Sequence, residues 1–365
     1  MKIRIGVIFG GCSGEHNVSL MSASSILQHL SPEKYEITPI GITREGKWYS
    51  GSGVLEKLKA RRTDGLTPVC LLPEPGNHTL YQIESGQHFS PLAELDVIFP
   101  VLHGTLGEDG TIQGLLEMNG LAYVGAGVLG SALGMDKAVF KDIMRAYDIP
   151  VAKYIIATRK QVENDLDGVI ARAESLAPYP LFTKPANLGS SVGISRCANR
   201  SDLHEGILNA MRYDRKILIE QGINARELEV AVLGNDQPTA SFPAEISPRD
   251  SFYSYQAKYM DGSTAVYIPA DVDDKKAAEA REIAIRVFKA IDCWGLGRVD
   301  FLMERTTGEL YVSEINTIPG FTHISVYPKA WEHANLTYPQ LLDRLVDLAF
   351  EMKAEKDKII HEYDG

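Results

Sequence analysis

Apolar positions recur along the chain with two periods, and the switches between period 2 and period 3.6 are frequent enough to predict an α/β protein. Residues 2–9 form an apolar strand, residues 10–14 a glycine-rich loop, and residues 18–30 a helix stopped by Ser31-Pro32. A strand at 36–42 completes a βαβ-like opening. Residues 43–92 are rich in turn formers and weakly patterned. The continuous apolar run 96–102 predicts a buried parallel strand, and a helix over 110–118 follows it.

Beyond residue 130 the spacing changes. Val139, Phe140, Ile143 and Met144 mark one face of a helix over 137–147, closed by Ile149-Pro150. Strands at 154–157, 181–184 and 217–220 then alternate with helices at 161–176 and 201–213. The last third offers strands at 227–233, 298–303 and 310–316 and a helix at 274–291. Between them, residues 247–263 form a polar and aromatic loop with little core pattern, the usual mark of a functional or disordered segment. The expected organisation is three α/β lobes: 1–130, 131–222 and 223–365.

Composition narrows the class. The chain has 365 residues, 44% of them hydrophobic, and 37 basic against 48 acidic side chains give a net charge of −11. That balance argues against nucleic acid or an anionic membrane as partner, because both reward a basic face. A local phosphate pocket is compatible with it. No apolar run approaches ~18 residues, so no membrane span is expected. The four cysteines are scattered and fit neither a disulfide framework nor a zinc site. No signal-peptide core is recognisable at the start, and the expected compartment is cytoplasmic.

Two glycine motifs mislead. Residues 125–130 (Gly-Ala-Gly-Val-Leu-Gly) match G-x-G-x-x-G, but the acid expected ~20 residues on, Asp148, sits at a helix end rather than a strand end. A glycine-rich connection between lobes is the favoured reading. Residues 189–193 (Gly-Ser-Ser-Val-Gly) match G-x-S-x-G, yet a nucleophile elbow must join a strand to a helix. Here Val192 and Ile194 alternate with small polar residues, which predicts a strand-to-strand hairpin whose N–H groups and hydroxyls could lie over phosphates. No Walker A pattern occurs, so Lys137 and Lys184 are the candidate phosphate ligands.

The strongest chemistry lies near the end. Strand alternation puts Arg298 and Asp300 on one face, and Glu314 and Asn316 on one face of the next strand. If the two strands pair, Asp300, Glu314 and Asn316 bring three oxygen ligands to one patch, a donor set suited to Mg²⁺ with substrate phosphates.

Taken with eight ordered segments, these residues resemble the ATP-grasp ligases of the D-alanine–D-alanine ligase family over essentially the whole chain. The segments run from Gly10-Gly11-x-Ser13-x-Glu15 through Leu102-His103-Gly104, Met135-Asp136-Lys137 and Lys184-Pro185-Ala186-Asn187 with its glycine loop. They continue with Glu227-Leu228-Glu229-Val230, Ala257-Lys258-Tyr259, Gly297-Arg298-Val299-Asp300 and Glu314-Ile315-Asn316-Thr317-Ile318-Pro319-Gly320. Leu188 stands where some members carry an acid.

The resemblance implies a three-lobed ATP-grasp architecture with an N-terminal parallel α/β domain. ATP would lie between two β-rich lobes, with Glu220, Gln221 and Ile223 at the adenine and Glu227 at the ribose. Lys137, Lys184 and Lys258 would meet phosphates, with Ser191 and Phe252 also at the nucleotide. Asp300, Glu314 and Asn316 would hold two Mg²⁺ (or Mn²⁺) ions. Glu15 would bind the ammonium of a first D-alanine, with His103 nearby, and Ser325 and Val326 the carboxylate of a second. Arg298 and the Gly320 N–H would stabilise the tetrahedral oxyanion, and Glu15, Ser190 and Tyr259 would form one hydrogen-bonded chain. A homodimer making D-alanyl-D-alanine for peptidoglycan is the implied whole.

Other readings remain open on sequence. The acceptor could be D-lactate or D-serine, a nicotinamide dehydrogenase could rest on residues 125–130 alone, and a non-catalytic nucleotide sensor could use the same scaffold.

Overall fold

The structure is a computed structural model, and it describes residues 1–85, 88–247, 265–322 and 324–360. Among the described residues, three sheets follow one another along the chain. In the first, Ile3–Gly10 pairs in parallel with Tyr35–Ile42 and Val97–Val101, and Ala122–Tyr123 adds a parallel edge. The second is antiparallel, built from Tyr154–Thr158, Leu181–Pro185, Ser195–Cys197 and Lys216–Gln221. The third centres on Ala225–Gly234, Gly295–Glu304 and Leu310–Asn316, all antiparallel. No helix among the described residues is long and apolar enough to cross a membrane.

The first sheet extends further than the pattern predicts. Among the described residues, the stretch 43–94 contains four antiparallel strands, Trp48–Ser50, Thr67–Leu71, Thr79–Ile83 and Phe89–Glu94, and the short helix Val54–Lys59. These strands carry Pro68 and Pro91 and are partly exposed, so they lack the clean alternation that marks a half-buried strand. The helix expected over 161–176 is two helices, Arg159–Asn164 and Leu166–Leu176. Asp165 divides them, its side chain accepting from the Gly168 N–H as the second helix's N-cap.

Packing explains the first glycine motif. Gly127 begins the helix Gly127–Met135 at φ +76°, and a Cβ there would stand 2.4 Å from Trp294 Nε1. A Cβ on Gly130 would meet Asp292 O at 3.1 Å. These glycines let one lobe pack closely on the next, as a structural connection requires. The C-terminal helix Tyr338–Lys356, which the expected boundaries group with residues 223–365, shares a core with the first sheet: Leu341, Leu345 and Val346 pack with Ile5, Val7 and Phe99.

Candidate active site

A cleft of about 780 Å³ opens between the second and third sheets. Of the residues implicated in nucleotide or metal binding, it is bordered by Lys184, Ser191, Glu220, Gln221, Ile223, Glu227, Asp300 and Glu314. The acidic strands pair as the alternation requires. Arg298 lies opposite Asn316, and Asp300 opposite Glu314. On the other face Val299, Phe301, Val312 and Ile315 are buried against Ala284, Val287 and Phe288 of the helix Asp274–Ala290. That burial, ~1.5–3 kcal/mol for each large side chain, fixes which face meets the cleft.

Arg298 Nε and a terminal nitrogen each lie 2.7 Å from an Asp300 oxygen, and the Asn316 amide donates to Asp300 Oδ2 at 3.0 Å. Glu229, which the register places opposite Asp300, is 3.0 Å from Arg298 Nε and only 5% exposed. Arg298 is therefore oriented by two carboxylates. No group of three or more His, Cys, Asp or Glu residues among the described ones is arranged to hold a metal. The donor set is two carboxylates and one amide beside a nucleotide-sized cleft. This fits Mg²⁺, which takes one or two carboxylates together with substrate phosphates rather than an all-protein cage.

Lysines converge from two elements. The helix Lys137–Ala146 starts at Asp136, whose side chain accepts from the Ala138 and Val139 N–H groups. One residue further, Lys137 Nζ lies 3.0 Å from Glu314 and donates to Leu188 O at 2.9 Å. Lys141, one turn on, is 1% exposed and lies 3.0 Å from Glu220 Oε1, whose other oxygen is 2.7 Å from Lys184. Burial pushes the Glu220 pKa up, but Lys141 and Lys184 outweigh it and hold it at about 2.

The glycine loop joins this cleft to the first lobe. Asn187 roots it, its N–H on Asp214 at 2.8 Å and its side chain on Asp136 at 3.2 Å. Ser190 and Ser191 then take φ of +52° and +59°, a left-handed conformation that costs side-chain-bearing residues ~1–3 kcal/mol each. Val192 lies in a turn and Ile194 in no regular element, and the returning strand begins only at Ser195–Cys197. A Cβ on Gly189 would stand 2.5 Å from Glu15 Oε1, so the loop lies directly on that carboxylate and a side chain at this position would displace it. Ser190 Oγ is buried without a hydrogen-bond partner among the described residues. Because the loop runs from strand to strand, the nucleophile elbow is absent. An acylating serine probe is expected to leave Ser191 unlabelled; stoichiometric labelling there, read by mass spectrometry, would restore a hydrolase.

Around Glu15 the first lobe is tightly tied. Ser13 Oγ accepts from the Glu15 N–H at 3.1 Å and donates to His103 O at 2.7 Å. His103 is buried, with Nδ1 2.9 Å from Ile318 O and Nε2 3.0 Å from Ser22 Oγ. Burial lowers its pKa, but Glu108 and then Glu15 outweigh it, so the imidazole titrates above its ordinary value. Ser22 Oγ also accepts from the Phe321 N–H at 3.2 Å, which holds the Pro319-Gly320 turn against the first lobe. Beside it, a Cβ on Gly320 would be 2.9 Å from Ser325 Oγ. Ser325 holds the N-cap position of the helix Val326–His333 without a side-chain capping bond, and the helix's N-terminal N–H groups suit a carboxylate.

Phe252, Lys258 and Tyr259 lie outside the described residues. Lys141, Glu229 and Glu108 carry contacts that the motifs alone do not single out. A signal exists for two of them: Lys141 is one helical turn from Lys137, and Glu229 interrupts an apolar strand on the same face as Glu227.

The comparisons with known proteins decide the family. Residues 4–126 match the family described as D-ala D-ala ligase N-terminus, and residues 143–347 match D-ala D-ala ligase C-terminus. The chain belongs to the D-alanine–D-alanine ligase family. Among curated relatives, a D-alanine–D-alanine ligase of Caldicellulosiruptor bescii is 45% identical over all of both chains. One of Natranaerobius thermophilus is 46% identical over 98% of this chain and 97% of the relative. The D-alanine-D-alanine ligase structure from Coxiella burnetii superposes with a TM-score of 0.85 at 35% identity, covering 98% of this chain and 96% of that one. The VanG D-Ala:D-Ser ligase from Enterococcus faecalis gives 0.85 at 36%, covering 96% of this chain and 100% of that one. The fold is accordingly the ATP-grasp fold of this family.

Proposed function

We propose that the protein joins two D-alanines into D-alanyl-D-alanine at the expense of ATP, for the peptidoglycan precursor. The carrying observation is the contact between Gly189 and Glu15, which lets one loop border both the nucleotide cleft and the carboxylate suited to an amino acid's ammonium group.

In this reading Glu220, Gln221 and Ile223 border the adenine and Glu227 the ribose, while Lys137 and Lys184 meet the phosphates. Asp300, Glu314 and Asn316 hold two Mg²⁺ ions, which supply charge neutralisation between ATP and the incoming carboxylate. Glu15 fixes the ammonium of the first D-alanine, leaving its carboxylate free to attack the γ-phosphorus. ADP departs and a D-alanyl phosphate remains. The amine of the second D-alanine, its carboxylate at Ser325 and Val326, attacks the acyl carbon. Arg298, oriented by Glu229 and Asp300, and the Gly320 N–H donate to the resulting oxyanion; one such donor is worth ~3–4 kcal/mol of barrier. Collapse breaks the carbon–oxygen bond and releases phosphate. Residues 1–130, 131–222 and 223–365 act as the three lobes, in a cytoplasmic homodimer.

Because a D-Ala:D-Ser ligase is as similar in fold as a D-alanine–D-alanine ligase, D-serine as acceptor is the second reading. The test is ADP release with ATP, Mg²⁺ and D-alanine, with products identified by mass spectrometry under competition from D-serine and D-lactate. D-alanyl-D-alanine as the main product supports the first reading. A mixed D-alanyl-D-serine product supports the second, and no D-alanine-dependent ADP contradicts both.

A further inference from the structure

Lys141 is a cation without a task in the mechanism. It is among the largest fully buried side chains, at 1% exposure, and it does not border the nucleotide cleft. Its amine lies 3.0 Å from Glu220, whose second oxygen is 2.7 Å from Lys184. Burial is the larger influence on Lys141 and lowers its pKa despite Glu220.

The charge count gives this arrangement a consequence. One carboxylate shared by two ammonium groups leaves a net positive charge, whereas Lys184 paired with Glu220 alone would be neutral. A lysine that turns from Glu220 toward phosphates would then strand a buried carboxylate, which is strongly disfavoured. With Lys141 on the other oxygen, Glu220 keeps a counter-ion while Lys184 moves.

We propose that Lys141 is a positioning residue that neutralises Glu220 from behind and so frees Lys184 for the nucleotide phosphates. The inference rests on the ATP-binding reading given above.

Lys141→Met tests it, with the KM for ATP and the KM for D-alanine measured separately. Removal of the charge is expected to raise the ATP KM about tenfold and leave the D-alanine KM within about twofold. Lys141→Arg keeps a positive charge beside Glu220, and its ATP KM should stay within about threefold of wild type. An unchanged ATP KM in Lys141→Met overturns the proposal. So does an equal rise in both KM values, or a Lys141→Arg variant as impaired as Lys141→Met. Should Lys141→Met not fold, Lys141→Gln is measured in its place, an unchanged ATP KM again overturning the proposal. Calorimetric titration of wild type with ATP and Mg²⁺ separates the two levels: no binding there contradicts the nucleotide site itself.

Discussion

Glu314→Gln is expected to abolish ligation while leaving the fold intact. Glu314 faces Asp300 across the strand pair and lies 3.0 Å from Lys137, so it belongs both to the proposed metal site and to the lysine cluster. The substitution conserves volume and leaves the buried face of Leu310–Asn316, with Val312 and Ile315, untouched. It removes one of two ligand carboxylates. Charge stabilisation by a bound metal contributes several kcal/mol to such a transition state, so a rate loss on the order of 10³-fold is expected. ADP release measured alongside thermal unfolding checks it. Normal Mg²⁺-dependent turnover in a folded variant would contradict the metal assignment.

Glu220→Gln should act chiefly on stability. Removing one partner of a buried ion pair typically costs about 3–5 kcal/mol, because the remaining charge is left uncompensated. Here two lysines would be left facing each other, Lys141 at 1% exposure. The pH dependence has a definite sign. In wild type the Glu220 pKa falls from 4.5 to about 2, so its stabilisation is present above pH 4.5 and is lost as pH falls toward 2. In the variant the lysine pKa values drop, the folded state binds fewer protons than the unfolded one, and stability rises with pH toward 10.5. Thermal unfolding from pH 7 to 10 should therefore narrow the gap to wild type. A constant gap would show that lost packing rather than uncompensated charge is responsible.

What the sequence reveals depends on whether a residue's role is local. Arg298, Asp300, Glu314 and Asn316 are legible because strand alternation puts each pair on one face, and antiparallel pairing then needs no further information. The glycine loop does run from strand to strand, but not through the alternation of Val192 and Ile194, since the returning strand begins only at Ser195. Its contact with Glu15 is not legible, since the two are remote in sequence and meet only through the packing of separate lobes. Lys141 and Glu229 are hidden differently. Each carries only a weak local signal, and burial shows that its partner, Glu220 for Lys141 and Arg298 for Glu229, comes from a separate element. The extra strands between residues 43 and 94 are obscured because partial exposure on both faces erases their period.

The transfer of a carboxylate oxygen tests the central claim most directly. D-alanine labelled with ¹⁸O in its carboxyl group is turned over with unlabelled ATP and Mg²⁺, and the released phosphate is analysed by mass spectrometry. Attack of the carboxylate on the γ-phosphorus, followed by amine attack on the acyl carbon, leaves that oxygen on phosphorus. One ¹⁸O per phosphate, in step with ADP and D-alanyl-D-alanine, is the predicted result; phosphate free of label would contradict an acyl phosphate intermediate.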